Sequence, residues 1–138
     1  MTHKMITGLN HITLAVADLE RAIGFYRDVL GLDVRAQWDQ GAYFGAGALW
    51  LCLTLDAHAA AQKRGDYTHI AFDVEADDFV ALSAHVRRHA PIWKDNSSEG
   101  NSLYFLDPDG HKLELHVGSL ETRLAHYRAN SDKGVTIF

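Results

Sequence analysis

Two histidines, His11 and His69, open two copies of one short pattern, and this duplication restricts the chain to folds built from paired modules. The first copy reads Asn10-His11-Ile12-Thr13-Leu14-Ala15-Val16 and the second Thr68-His69-Ile70-Ala71-Phe72-Asp73-Val74. With the histidines aligned, Ile12 falls on Ile70 and Val16 on Val74. Each copy alternates along a strand and runs into an acidic, helix-starting segment, Asp18-Leu19-Glu20 in one and Glu75-Ala76-Asp77-Asp78 in the other.

Period and punctuation fill in the rest. Residues 9–16 alternate as a strand, with His11, Thr13 and Ala15 on one face and Ile12, Leu14 and Val16 on the other. Asp18 is placed to cap a helix over 19–30, in which Leu19, Ala22, Ile23, Tyr26 and Leu30 fall at helical spacing and which Gly31 stops. Short strands follow at Asp33–Trp38, Gly41–Ala46 and Leu49–Leu55, and residues 56–66 read as a linker. The second half repeats the plan. A strand over 67–74 leads to a helix at Ala76–His89 with Phe79, Leu82, Val86 and His89 on one stripe. Then come a strand at Ile92–Lys94, a polar loop over 95–101, and strands at Ser102–Leu106 and 112–117. Asp107-Pro108-Asp109-Gly110 is a strong turn signal between the last two. A final helix spans 120–128. The expected fold class is α+β, a single domain over 1–138 made of two βαβββ modules (about 6–55 and about 67–118) and one extra helix.

One helix per four strands covers one face of each sheet and leaves the other free to curl into a cup. His11 and His69 begin the first strands of the two cups. A third candidate is Glu114, in Lys112-Leu113-Glu114-Leu115-His116-Val117, where Leu113, Leu115 and Val117 share one face and Glu114 and His116 the other. A carboxylate pointing into a cup is costly unless paired, protonated or bound to a metal. Two imidazoles and a carboxylate suit Mn²⁺, Fe²⁺, Zn²⁺ or Ni²⁺ and leave positions open for substrate and water. His3, His58, His85, His89, His111 and His126 fall in helix faces, loops or termini that do not suit ligands. His116 is open between a supporting donor and an ordinary polar strand residue, and Trp50 between a cavity wall and the core. Cys52, between Leu51 and Leu53, reads as a packing residue rather than a nucleophile.

Composition excludes several classes. Of 138 residues, 47% are apolar and 22% charged, with a net charge of −5, so no basic stripe invites nucleic acid or an anionic membrane. No apolar run is long enough to cross a bilayer, and Met1-Thr2-His3-Lys4-Met5 lacks the apolar core of a signal peptide. A lone cysteine cannot form an internal disulfide, so a reducing, cytoplasmic location is expected.

The duplicated βαβββ plan resembles the vicinal oxygen chelate superfamily, which includes glyoxalases, extradiol dioxygenases and fosfomycin-inactivating enzymes. Several stretches are similar to the FosA-type fosfomycin glutathione transferases: Gly8-Leu9-Asn10-His11-Ile12-Thr13-Leu14-Ala15-Val16, Trp38-Asp39-Gln40-Gly41-Ala42-Tyr43, Leu49-Trp50-Leu51-Cys52-Leu53, Asp66-Tyr67-Thr68-His69, Trp93-Lys94 and Asn96-Ser97-Ser98-Glu99-Gly100. The run from Tyr104 through Asp107-Pro108-Asp109-Gly110 to Gly118 completes the match. That turn and its glutamate recur across the superfamily, whereas the Ser-Glu-Gly loop is the specific part.

The resemblance implies a cup-shaped mixed sheet and a domain-swapped homodimer. It implies a Mn²⁺ site of His11, His69 and Glu114, with His11 from one subunit and the other two ligands from its partner. It also implies a K⁺ site on oxygens of Asn96, Ser98, Gly100 and Ser102. Lys94, Ser98, Tyr104 and Arg123 are the implied phosphonate-binding set, with Thr13 beside the metal, Tyr43 near the incoming sulfur and Trp50 lining the cavity. The implied reaction transfers the thiol of glutathione to the epoxide of fosfomycin. Two departures stand out: Ser97 replaces a frequent arginine, lowering local charge, and Ile70 replaces a frequent aromatic; neither is a ligand, and both bear on substrate affinity or the cavity wall. Three other functions compete. An Fe²⁺ extradiol dioxygenase would use the same His/His/Glu set. A hydrolytic relative would need a carboxylate base, and residues 40–55 contain no Asp or Glu. A non-catalytic drug-binding protein would generally lack the metal triad.

Overall fold

The computed structural model describes residues 4–59, 64–130 and 133–138, so part of the expected linker, 60–63, lies outside the described residues. Its chain order is β1 (His11–Val16), α1 (Leu19–Gly24) continued by a π-helical turn (Phe25–Val29), β2 (Asp33–Trp38), β3 (Gly41–Ala46), β4 (Leu49–Leu55), β5 (Ile70–Asp73), α2 (Ala76–His89), β6 (Ile92–Lys94), β7 (Ser102–Leu106), β8 (Lys112–His116) and α3 (Leu120–Ala129). The strands form two four-stranded mixed sheets of identical topology, β1-β4-β3-β2 and β5-β8-β7-β6. In each, the first strand runs parallel to the last and the other pairs are antiparallel. The duplication read in the sequence is therefore a duplication of topology.

Backbone contacts divide the chain into two compact units, Met1–Lys63 with Pro108–Gly110, and Arg64–Asp107 with His111–Phe138. In the first unit, Leu14, Val16, Phe44, Leu51 and Leu53 of the sheet are buried with Ala22, Ile23, Phe25 and Tyr26 of the helical segment. Each fully buried large side chain is worth about 1.5–3 kcal/mol relative to exposure. Asp18 caps α1, its carboxylate accepting the Arg21 amide at 3.0 Å. Asp109 belongs to this unit too, its Oδ1 accepting from the Ala17 amide at 2.8 Å and facing Arg21 at 3.3 Å. In the second unit, Val86 of α2 is buried with Leu103, Phe105, Leu113 and Leu115.

Five elements differ from expectation. The strands expected at 9–16, 67–74 and 112–117 are trimmed to His11–Val16, Ile70–Asp73 and Lys112–His116. Alternation continues past the last ladder hydrogen bond, so the pattern overestimates strand length. The helix expected over 19–30 is α-helical only to Gly24. It then widens by one residue per turn, the Leu30 amide donating to Phe25 O at 3.0 Å. The final helix runs one residue longer, to Ala129.

Candidate active site

The uncovered face of the first unit's sheet carries the residues that the sequence singled out. In register, His11 lies opposite Trp50, and Thr13 opposite Cys52, which lies opposite Tyr43. Trp50 and Tyr43 are 38% and 41% exposed, so Trp50 belongs to this open face and not to the core. The His11 ring stacks on Trp50 with centroids 4.6 Å apart and planes 11° from parallel. Its Nδ1 meets Asn10 Oδ1 at 2.6 Å, and the Nδ1–H donated there leaves the Nε2 lone pair facing outward. Tyr43 stands edge-on between Trp50 and Trp38. Trp38 lies across Gly41, where an added Cβ would fall 2.7 Å from the indole and 2.5 Å from Leu53 O. Cys52 is buried beneath this face, with Sγ beside Leu53 O and Thr54 Oγ1.

The second unit contains a cavity of about 480 Å³ on the uncovered face of its sheet. Glu114, 5% exposed on the interior strand β8, lines it between Ala71 and Tyr104 in register. His69 precedes β5 and reaches the same point: Nε2 lies 3.0 Å from Glu114 Oε1. The other ring nitrogen, Nδ1, lies 2.8 Å from the Tyr67 carbonyl, which can only accept, so Nδ1 carries a proton. In neutral His69, Nε2 is then a bare lone pair aimed at a carboxylate oxygen. Two acceptors meet at that distance only with a proton or a cation between them.

The remaining oxygen of Glu114 is held from the opposite side. Ser102 Oγ lies 2.6 Å from Glu114 Oε2 and 2.7 Å from His116 Nδ1. The hydroxyl has one proton, which it donates to the carboxylate while accepting from His116 Nδ1–H. His116 Nε2 is left as an acceptor 3.5 Å from the Arg123 guanidinium. His116 is thus a supporting donor in a chain running from Arg123 through Ser102 to Glu114. Among the described residues, no group of three His, Cys, Asp or Glu side chains is arranged to hold a metal ion.

The implied anion-binding residues surround this pair. Lys94 Nζ donates to Tyr67 Oη at 2.9 Å and lies 4.6 Å over the ring of Tyr104, its register partner. That hydrogen bond to Tyr67, with the nearby Glu114 charge, raises the Lys94 pKa above its ordinary value. Tyr104 Oη lies 3.4 Å from Ser98 Oγ. Arg123 Nε pairs with Glu99 Oε2 at 3.0 Å, and this pairing raises its pKa. Tyr67, Glu99, Tyr127 and Lys133 also line the cavity, and the sequence pattern assigns none of them a role. Spacing held the signal: Tyr67 is two residues from His69, and Tyr127 is one helical turn beyond Arg123.

The loop over 95–101 closes on itself. Asn96 Nδ2 donates to Gly100 O at 2.9 Å, while the Ser98 amide and hydroxyl both donate to Asn96 Oδ1 at 3.0 Å. Oxygens of Asn96, Ser98 and Gly100 are gathered here, whereas the Ser102 hydroxyl turns to Glu114. Ser97 lines the cavity, whereas Ile70 pairs in register with Leu113 and is not among the residues that line it.

A model of the glyoxalase/bleomycin resistance protein/dioxygenase superfamily matches residues 8–115. The chain belongs to that superfamily. It is 49% identical over 134 residues to glutathione transferase FosA of Serratia marcescens, covering 95% of each chain. It is 40% identical to metallothiol transferase FosB of Staphylococcus epidermidis, covering 90% of this chain and 93% of the relative. Within the superfamily it belongs with these FosA-type transferases. Its structure also matches that of a variant of the fosfomycin resistance protein FosX from Listeria monocytogenes, solved with Mn(II) and 1S,2S-dihydroxypropylphosphonic acid. There the TM-score is 0.79 at 31% identity, over 89% of this chain and 99% of the other.

Proposed function

We propose that this protein catalyses transfer of the glutathione thiol to the epoxide of fosfomycin, as a homodimer dependent on Mn²⁺ and activated by K⁺. The observation that carries the reading is the meeting of His69 Nε2 with Glu114 Oε1 inside a cavity flanked by Lys94 and Arg123. The two donor atoms converge, the far side of each is already fixed by a hydrogen bond, and their contact requires a positive charge between them. That arrangement fits a divalent ion. Together with His11 of a second subunit, His69 and Glu114 would hold Mn²⁺, which when bound supplies Lewis acidity toward the epoxide oxygen.

The chain's own groups do the rest. Lys94, Tyr104, Ser98 and Arg123 hold and orient the phosphonate, with the cations favouring the dianion and the hydroxyls fixing its rotation. Glu99 keeps Arg123 extended before the anion arrives. Ser102 and His116 hold the Glu114 carboxylate in one orientation. The Tyr43 hydroxyl, on the aromatic face with Thr13 and His11, hydrogen-bonds the incoming sulfur and favours thiolate. Trp50 fixes the His11 ring by stacking. The oxygens of Asn96, Ser98, Gly100 and Ser102 would hold K⁺, taking over hydrogen bonds that the loop now makes internally.

Hydration of the epoxide is the second reading, favoured by the likeness to FosX. It needs a carboxylate to activate water. In this chain Glu114 is paired with His69 and Ser102, and Glu99 with Arg123. Incubating Mn²⁺-loaded protein with fosfomycin, with and without glutathione, and following phosphorus NMR separates the two. A new thioether resonance that needs glutathione is expected. A diol formed without thiol would overturn thiol transfer.

A further inference from the structure

The cavity is larger than a phosphonate clamp requires, and its α3 end has chemistry that the clamp does not use. Tyr127 and Lys133 line the same cavity as Lys94 and Arg123. Lys133 Nζ lies 3.2 Å from Tyr127 Oη and 5.3 Å over the Tyr127 ring. Among the described residues no carboxylate lies within ion-pair distance of Lys133, whose ammonium donates to the Tyr127 hydroxyl. The other charges are committed: Arg123 to Glu99, and Glu114 to His69 and Ser102. Lys94 stands with Tyr104 at the inner end. Lys133 and Arg123 together lower the Tyr127 pKa, with Lys133 acting most strongly, so two positive groups converge on one oxygen.

We propose that Lys133 and Tyr127 form a second anion subsite, which takes a carboxylate of the thiol co-substrate at the α3 end of the cavity. This rests on the thiol-transfer reading above. An incoming carboxylate accepts from Lys133 Nζ and from the Tyr127 hydroxyl, replacing the bond these two make with each other. Glutathione carries two carboxylates and a small neutral thiol carries none, so the subsite selects among thiols without touching the epoxide chemistry. The Lys133 side chain thereby sets which thiol is used.

The test compares wild type with Lys133→Ala and Lys133→Arg, using glutathione and 2-mercaptoethanol, a neutral thiol without a carboxylate. Lys133→Ala should raise the KM for glutathione about two- to fivefold, the range expected for losing one exposed ion pair. The KM for fosfomycin, kcat and the 2-mercaptoethanol reaction should not change, and Lys133→Arg should restore glutathione use. An unchanged glutathione KM, an equal loss with both thiols, or a raised fosfomycin KM would overturn the subsite. If wild type transfers no thiol at all, the functional reading fails, and titration with unreactive S-methylglutathione still decides the subsite. Binding that weakens in Lys133→Ala supports it, and no binding to wild type overturns it.

Discussion

At the scale of single residues, the site turns on where protons sit. Tyr67 O fixes the proton on His69 Nδ1, and the Ser102 hydroxyl donates a hydrogen bond to Glu114 while accepting one from His116. Each oxygen of Glu114 therefore has a defined task, one toward His69 and one toward Ser102. Glu114→Gln keeps the shape but places a neutral amide where two acceptors and a cation would meet. Bound Mn²⁺, followed by EPR, should weaken at least about tenfold, and thiol transfer should fall with it. Full activity with unchanged Mn²⁺ affinity would remove Glu114 from the metal. Glu114 was legible as a candidate because strand alternation sets a side chain's face, and His69 because the repeat aligns it with His11, whereas Lys94 was marked only by the family resemblance. Glu99 as the partner of Arg123 was not legible, since 24 residues of sequence separate the two and no periodicity links a loop to a helix face.

At the scale of elements, α2 was readable to the residue because Phe79, Leu82 and Val86 make one uninterrupted stripe between an acidic start and Pro91. The widening at Phe25–Val29 was not, because a π-helical turn keeps the same apolar side chains on roughly the same face. The loop over 95–101 is where conformation is most tightly specified. Gly100 has φ +81°, and an added Cβ would sit 2.6 Å from Val117 O and 3.1 Å from the His116 ring. Gly100→Ala therefore combines left-handed strain, about 1–3 kcal/mol, with a clash against the residue that steadies Ser102. The expected outcome is a lower Tm, at about 2–4 °C per kcal/mol, together with loss of any difference between K⁺ and Na⁺ in the activity assay. A variant as stable as wild type that still prefers K⁺ would show that the loop tolerates a side chain there and that cation selectivity lies elsewhere.

At the scale of the whole molecule, the repeat distributes chemistry unequally over two modules of the same topology. His11 and His69 occupy equivalent places at the starts of β1 and β5, and each has Nδ1 engaged by a local oxygen, which directs Nε2 away from its own backbone. Only the second module has a carboxylate on the strand that pairs with that first strand. Ala71 lies beside Glu114, whereas Thr13 lies beside Cys52. One module thus presents a lone donor and the other a donor pair. If the donor and the pair that meet at one metal belong to different subunits, each dimer has two such sites. A His11→Ala protein and a Glu114→Ala protein should then each be nearly inactive as homodimers. In the mixed dimer, one site combines the intact His11 of the Glu114→Ala chain with the intact His69 and Glu114 of the His11→Ala chain. The other site carries both lesions. Dissociating and reassociating the two variants should therefore restore about half the wild-type activity per heterodimer, along with one bound Mn²⁺. No recovery in heterodimers shown by mass to have formed would mean that each site is built from a single chain.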